Sequence, residues 1–342
     1  MRIDFRKLGL RVLIIVIIAG AVVLSLPSIL TVIVQHKQNQ VLQAMSEQFP
    51  VTVNPREKVI VEDALVNAFL ESNNSPLQAA VGNAVNAFEA VFTWIAVAIS
   101  DASWYQSVAA VSVGTDRLVS ITPGMRKEQV ALVFAKALSW NSAQKKEFLM
   151  VSSSDASSRL LEGSFAPGVY SLPADTTPRV TRALINDRFT NEVFARYGSK
   201  TAEIVPLTQA LTVASLIERE AGGADDMRLI SGIIWNRLFI NMKLQIDATL
   251  QYAKANTAAT SSWWPRVVPA DRYRASPYNT YLHVGLPPGP IANPSVAAIL
   301  AALNPRNTPC LFYFHDSKKQ FHCSETYAEH VALLKKYYGR GK

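Results

Sequence analysis

From Leu13 to Val34 the chain reads LIIVIIAGAVVLSLPSILTVIV, without one charged side chain. At about 1.5 Å per residue, a helix of that length crosses the roughly 30 Å hydrocarbon core of a bilayer. Whatever follows must then fold on one side of a membrane. Pro27 and Ser28 are compatible with a spanning helix, because membrane helices accept such residues where the freed backbone groups find partners. Arg2, Arg6, Lys7 and Arg11 precede the stretch, whereas the flank behind it is nearly uncharged until Lys37. The positive-inside rule therefore predicts residues 1–12 as a cytoplasmic tail and everything after Val34 as extracytoplasmic. The apolar run is longer than a signal-peptide core and no A-x-A site closes it, so an uncleaved transmembrane helix over 13–34 is expected.

The rest of the chain has the material for a packed domain: 49% of the 342 residues are hydrophobic. Formal net charge is +8, but nearly all of that excess sits in the first eleven and last eight residues. No folded region carries the basic stripe, interleaved with aromatics, that a nucleic-acid surface requires. A near-neutral body suits a substrate that needs no strong electrostatic steering. Cys310 and Cys323 both fall in the outward part, where disulfides persist. They flank CLFYFHDSKKQFHC, which reads as strand, polar turn and strand, and antiparallel pairing would bring the two sulfurs together. Zinc held with His315 and His322 is the alternative, although the spacing matches no familiar tetrahedral pattern. No metal or organic cofactor is expected.

Residues 35–118 read as a small, divergent α+β segment. EKVIVEDALVNAFLES has an amphipathic helical pattern, SVAAVSVGTDRLVSI is strand material, and FEAVFTWIAVAIS is apolar but too short and interrupted for a second span. From about residue 119 to 342 the signals sharpen into a helix-rich α+β domain. ITPGM is a turn before a helix with Val130, Val133, Phe134 and Leu138 at helical spacing. Thr176 or Thr177 caps a helix that ends before Gly198. PLTQALTVASLIEREAGG is a helix stopped by Gly222 and Gly223, and ADDMRLISGIIWNRLFINM follows. KLQIDATLQY alternates apolar and polar residues as a strand would. Asn293, with Pro294 behind it, is the expected cap of a late helix.

The chemistry concentrates at ASLIEREAGG. Glu218 and Glu220 sit about 200° apart on their helix, so they cannot act together on one bond. Each continues an apolar face, and periodicity does not choose between them. A carboxyl held in an apolar wall has its pKa raised and stays protonated near neutral pH, as a general acid must. The alternative is a pair of solvated glutamates at a helix end.

Six segments in one order, ASLIEREA, NRL at 236–238, LQIDATLQYA, SPYNTY, GLPPGPIANPS and ETYAEH, together resemble the YceG-like family, the membrane-anchored endolytic murein transglycosylases of bacteria. The resemblance runs from about Ile121 to Tyr338 and covers the short tail and single anchor. It fails between 35 and 118, the position of the family's LysM-like domain. It implies that Glu220 is the catalytic acid/base and that Glu218 shapes the site. Glu220 would protonate the MurNAc–GlcNAc glycosidic oxygen and then take the proton of the sugar's own C6 hydroxyl, leaving a 1,6-anhydroMurNAc end. Asp247 is the candidate second carboxylate of an ordinary glycosidase, and it reads equally as the cap of ATLQYAKA. Asn236, Gln245 and Asn279 offer amides for sugar hydroxyls and N-acetyl groups. Tyr278 and Tyr281 offer stacking faces, and GLPPG a rigid cleft wall. Arg237 is expected to clamp a carboxylate, Glu218 in preference to one on the substrate. The resemblance also implies the bacterial inner membrane as location, peptidoglycan strands as substrate, and synthases with elongation or division machinery as partners. A hydrolase on the same fold and a non-catalytic glycan-binding scaffold are the alternatives.

Overall fold

A computed structural model of the chain describes residues 48–67, 70, 117–150, 161–257 and 262–339. The expected tail, the expected anchor at 13–34 and most of 35–118 lie outside these residues. No helix among the described residues is long and apolar enough to cross a membrane. The described fold is α+β, with two-stranded antiparallel sheets set among helices.

β1 (Val53–Asn54) and β2 (Val59–Ile60) form a short hairpin. Although it belongs to the stretch read as a divergent segment, its base is part of the main core. Phe49 and Val53 are buried there, and Asn304 donates its side-chain amide to Pro50 O at 2.9 Å.

A smaller core surrounds β3 (Arg117–Ile121) paired with β4 (Gly168–Leu172), under α1 (Lys127–Ala137), α2 (Ser142–Leu149) and α3 (Pro178–Glu192). Val130, Phe134 and Leu138 bury the predicted face of α1. Phe134 meets Trp140, Phe148 and Tyr170, with centroids 5.8 to 6.3 Å apart. Thr177 is the cap of α3, accepting from Val180 N–H, with Pro178 opening the helix where a missing amide costs nothing.

The main core is built around α5 (Leu207–Glu220), which follows the short α4 (Ser199–Ile204). Every residue of α5 from Ala210 to Ile217 is buried, so it packs on all sides. Ser215 is accommodated because its hydroxyl donates to Thr212 O and accepts from Ile291 N–H. Around α5 lie α6 (Ala224–Phe239), α7 (Asp247–Thr257) and α8 (Val296–Leu303). The fully buried Trp235 ties α6 to α8 through Nε1–H to Ala302 O at 2.9 Å.

Two local expectations fail for identifiable reasons. KLQIDATLQY is no strand: residues 242–246 are irregular and α7 starts at Asp247. Leu244 and Ile246 are buried without strand pairing because Gln245 and Ile246 donate their amides to the backbone and side chain of Thr280. Asn293 does not cap α8. Ser295 does, and the fully buried Asn293 accepts from the amides of Gly163 and Phe165 and donates to Met125 O and Glu162.

The chain closes with β5 (Phe312–His315) and β6 (Phe321–Ser324), an antiparallel hairpin in which Tyr313 faces Cys323. α9 (Tyr327–Tyr338) packs on that hairpin, capped by Thr326 at its start and by the left-handed Gly339 at its end.

Candidate active site

α5 ends on Glu220, and its side chain meets a cavity of about 860 Å³ between the start of α7, the 272–281 loop and the β5–β6 hairpin. The carboxyl is half-buried: it opens onto the cavity and is enclosed by protein elsewhere. Tyr313 on β5 donates its hydroxyl to Glu220 Oε2 at 2.8 Å, and the amide of Ala248, at the start of α7, donates to the same carboxyl. Burial raises the pKa of Glu220 and Asp247 adds to the rise, against the lowering effect of the Tyr313 and Ala248 bonds and of His315. A neutral carboxyl can accept both bonds and still present its own O–H to the cavity. The arrangement gives a held acid facing an open space.

Asp247 faces the same cavity and accepts from the Tyr281 hydroxyl at 2.6 Å. Burial and this bond both push the Tyr281 hydroxyl above its ordinary pKa, so it remains a donor. Gln245 lines the wall from a left-handed backbone, φ 52°. That conformation costs a non-glycine residue about 1 to 2 kcal/mol and is held here by the Gln245 amide on Thr280 O. Arg237 also reaches the cavity, but its guanidinium donates to the carbonyls of Leu311 and Leu244 and lies 5.4 Å from the centre of the Phe312 ring. It clamps backbone across the hairpin base. The expected pairing with Glu218 does not occur.

Glu218 points away from this cavity. Its Oε2 accepts from the amide of Ser295 at 3.0 Å and from its hydroxyl at 2.7 Å. A carboxylate at the positive end of α8 is where the helix dipole favours one, and Glu218 therefore works as an anchor between α5 and α8. Three further candidates also do not line the cavity. Asn236 donates to Thr308 O and Cys310 O and pins the chain ahead of β5. Asn279, fully buried, donates to Arg272 O and Arg274 O and accepts from Tyr281 N–H, so it shapes the loop that presents Tyr281. Tyr278 packs on Tyr252, ring centres 4.8 Å apart. GLPPG is absent from the cavity wall; a Cβ at its Gly289 would come within 3.8 Å of the Tyr278 hydroxyl.

The Cys310 and Cys323 sulfurs are bonded at 2.07 Å, joining the approach to β5 with β6. Among the described residues no cluster of side chains suits a metal ion.

Tyr313, Arg272, Tyr327 and His330 line the cavity and were not singled out in the sequence, and His315, which lines it too, was named there only as the alternative zinc ligand. His315 shares a hydrogen bond with Asp226, which also accepts from the amides of Gly222 and Gly223 at the turn between α5 and α6. Gly222 is close-fitting there, since a Cβ would meet the His315 ring at 3.1 Å. The alternation in LFYFH was the available signal for Tyr313 and His315: both residues lie on one side of the strand, whichever side is buried.

Comparisons with known proteins bear on this arrangement. The model of the YceG-like family matches residues 98–336. An endolytic murein transglycosylase of Bacillus subtilis is 30% identical over 253 residues, covering 68% of this chain and 68% of the relative. One from Streptococcus pneumoniae is 33% identical over 173 residues, covering 50% of this chain and 30% of that longer protein. In fold, the chain is similar to a crystal structure of a YceG-like protein from Listeria monocytogenes, with a TM-score of 0.55 and 24% identity over 63% of this chain and 75% of that one. The matched segment contains α5, α7 and the β5–β6 hairpin, and with them Glu220 and the groups that hold it: the chain belongs to the YceG-like family.

Proposed function

We propose that the protein is an endolytic peptidoglycan transglycosylase in which Glu220 is the single acid and base. The observation that carries the reading is a half-buried carboxyl of raised pKa, fixed by Tyr313 and Ala248 at the edge of a glycan-sized cavity. The relatives named as murein transglycosylases supply the substrate class.

Glu220 starts protonated and gives its proton to the glycosidic oxygen between MurNAc and GlcNAc. The C1–O bond breaks, and positive charge spreads over C1 and the ring oxygen. The C6 hydroxyl of the same MurNAc then attacks C1 and passes its proton to the Glu220 carboxylate. The O6–C1 bond gives a 1,6-anhydro end, the enzyme regains its starting form, and no water is consumed. A nucleophile tethered on the reacting ring has a very high effective concentration, so no enzymic nucleophile is required. Tyr313 stabilises the carboxylate formed midway, and Asp247 with Tyr281 is placed to bind hydroxyls of the sugar. In this reading Leu13–Val34 anchors the protein in the bacterial inner membrane with residues 1–12 in the cytoplasm. The cleft then faces nascent strands and the synthases that make them, and residues 35–118 are a divergent segment at the position of the family's LysM-like domain.

Asp247, in the same cavity as Glu220, supports a second reading, a hydrolase in which it activates water. Digestion of purified peptidoglycan by the full chain in ¹⁸O-labelled water separates the two. New ends one water lighter and free of ¹⁸O, absent with Glu220→Gln, are expected. Labelled ends would establish the hydrolase, and no new ends from a folded protein would leave a glycan-binding scaffold.

A further inference from the structure

Of the two arginines among the described residues that line the cleft, Arg272 is the one whose charge no described residue engages in a salt bridge or hydrogen bond. It lies in a 3₁₀ turn, Pro269–Tyr273, where its neighbour Asp271 is buried and takes Lys254 at 2.8 Å and Arg274 at 3.2 Å. Arg272 turns the other way. Its side chain is exposed to the cavity, its guanidinium sits 5.2 Å from the centre of the Tyr281 ring, and it has no salt bridge among the described residues. Arg237, the other arginine of the cavity, already spends its donors on the carbonyls of Leu311 and Leu244. The Arg272 backbone is fixed as well, because Asn279 holds its carbonyl at 3.1 Å.

The placement of Arg272 relative to the acid is specific. Tyr281, under the guanidinium, donates to Asp247, and Asp247 acts on Glu220. Arg272, Tyr281, Asp247 and Glu220 are therefore linked in succession on the wall of one cavity, with Arg272 exposed and Glu220 half-buried. A planar guanidinium already stacked on an aromatic ring keeps its forked donors available and loses little rotamer freedom on binding. Its best partner is a planar anion taken by two parallel hydrogen bonds, a carboxylate. Hydroxyls and N-acetyl groups, the remaining polar groups of a glycan, would leave the charge unmatched.

We infer that Arg272 is a specificity residue that binds a carboxylate carried on the lactyl-peptide arm of the MurNAc unit, so that the cleft selects anionic glycan strands over neutral ones. The inference rests on the proposed glycan-cleaving function of the same cleft. It makes the peptide-bearing arm, and not the sugar backbone alone, part of what is recognised.

The test uses two forms of one substrate: native peptidoglycan strands, and the same strands with their carboxyls converted to neutral methylamides. The full chain is assayed beside Arg272→Gln and Arg272→Lys. Wild type is expected to show kcat/KM about tenfold higher on native strands, through KM. Arg272→Gln should lose that preference, because it slows cleavage of native strands more than that of neutral ones, and Arg272→Lys should recover part of it. If wild type cleaves both forms equally, or if Arg272→Gln slows both by the same factor, the residue does not read a carboxylate. Failure of wild type to cleave either form would instead remove the glycan-cleaving function on which the inference rests.

Discussion

Glu220 and Tyr313 form a pair whose effect on pH dependence can be worked out in sign. The Tyr313 bond favours the charged carboxylate and so holds the Glu220 pKa below where burial alone would put it. Tyr313→Phe is therefore expected to raise that pKa and shift the alkaline limb of the kcat/KM profile to higher pH. The maximum rate should fall by about tenfold with the loss of one stabilising bond to the carboxylate formed in the reaction. A limb that stays in place, or moves to lower pH, would mean that Glu220 is not the titrating acid. Both glutamates of the pair were visible in the sequence, as was their placement on opposite faces. Periodicity could not tell their roles apart, because α5 is apolar all round, and only the family resemblance singled out Glu220. What separates them are groups far along the chain: Ser295, 77 residues from Glu218, and Tyr313, 93 residues from Glu220. Arg272 was missed because no local pattern marks it, and His315 was named only as a zinc ligand because its partners, Glu220 and Asp226, lie about ninety residues back in the chain.

At the scale of elements, the β5–β6 hairpin was legible and residues 244–246 were not. The hairpin has a polar turn between two apolar runs and a cysteine at each end, and all three signals agree. The alternation in KLQIDATLQY also suggested a strand, but alternation reports only which side chains are buried. Here a loop buries them, through the bonds to Thr280, and no partner strand is present. The disulfide closes a loop of sequence separation 13 within the element that presents Tyr313. Cys310→Ser with Cys323→Ser is expected to cost about 3 kcal/mol in chemical denaturation. It should also lower kcat by more than the unfolded fraction accounts for, because Tyr313 pairs directly with Cys323. A destabilised double variant with unchanged kcat would show that the hairpin holds Tyr313 without its cross-link.

At the scale of the whole molecule, the two cores meet at Glu162. One carboxyl oxygen accepts from the Lys127 amide at the start of α1 at 3.0 Å and from Asn293, ahead of α8, at 3.1 Å. The other is buried without a hydrogen-bond partner among the described residues, which is where the proton of a neutral acid belongs. Burial, helped by Glu128, raises the pKa to about 8 from an ordinary 4.5. A raised carboxyl pKa means that the folded state binds the proton more tightly than the unfolded one. Its contribution is full below about 4.5 and is lost as pH climbs toward 8, with a slope of at most about 1.4 kcal/mol per pH unit. Glu162→Gln should flatten that decline in thermal or denaturant unfolding, since an amide fills the same space without titrating. An unchanged slope would locate the titration elsewhere. The family motifs were readable in order along the chain, but this junction was not, because its members come from three distant segments. That same separation gives the Tyr313–Glu220 bond a temporal meaning. As the chain is made from its N-terminus, α5 with its glutamate is complete long before β5 exists, so the acid is present without the hydroxyl that holds it. A chain that stops short of Phe312 carries the glutamate and most of the described helical core without the Tyr313 hydroxyl, so under the proposed function the acid is made early and readied late.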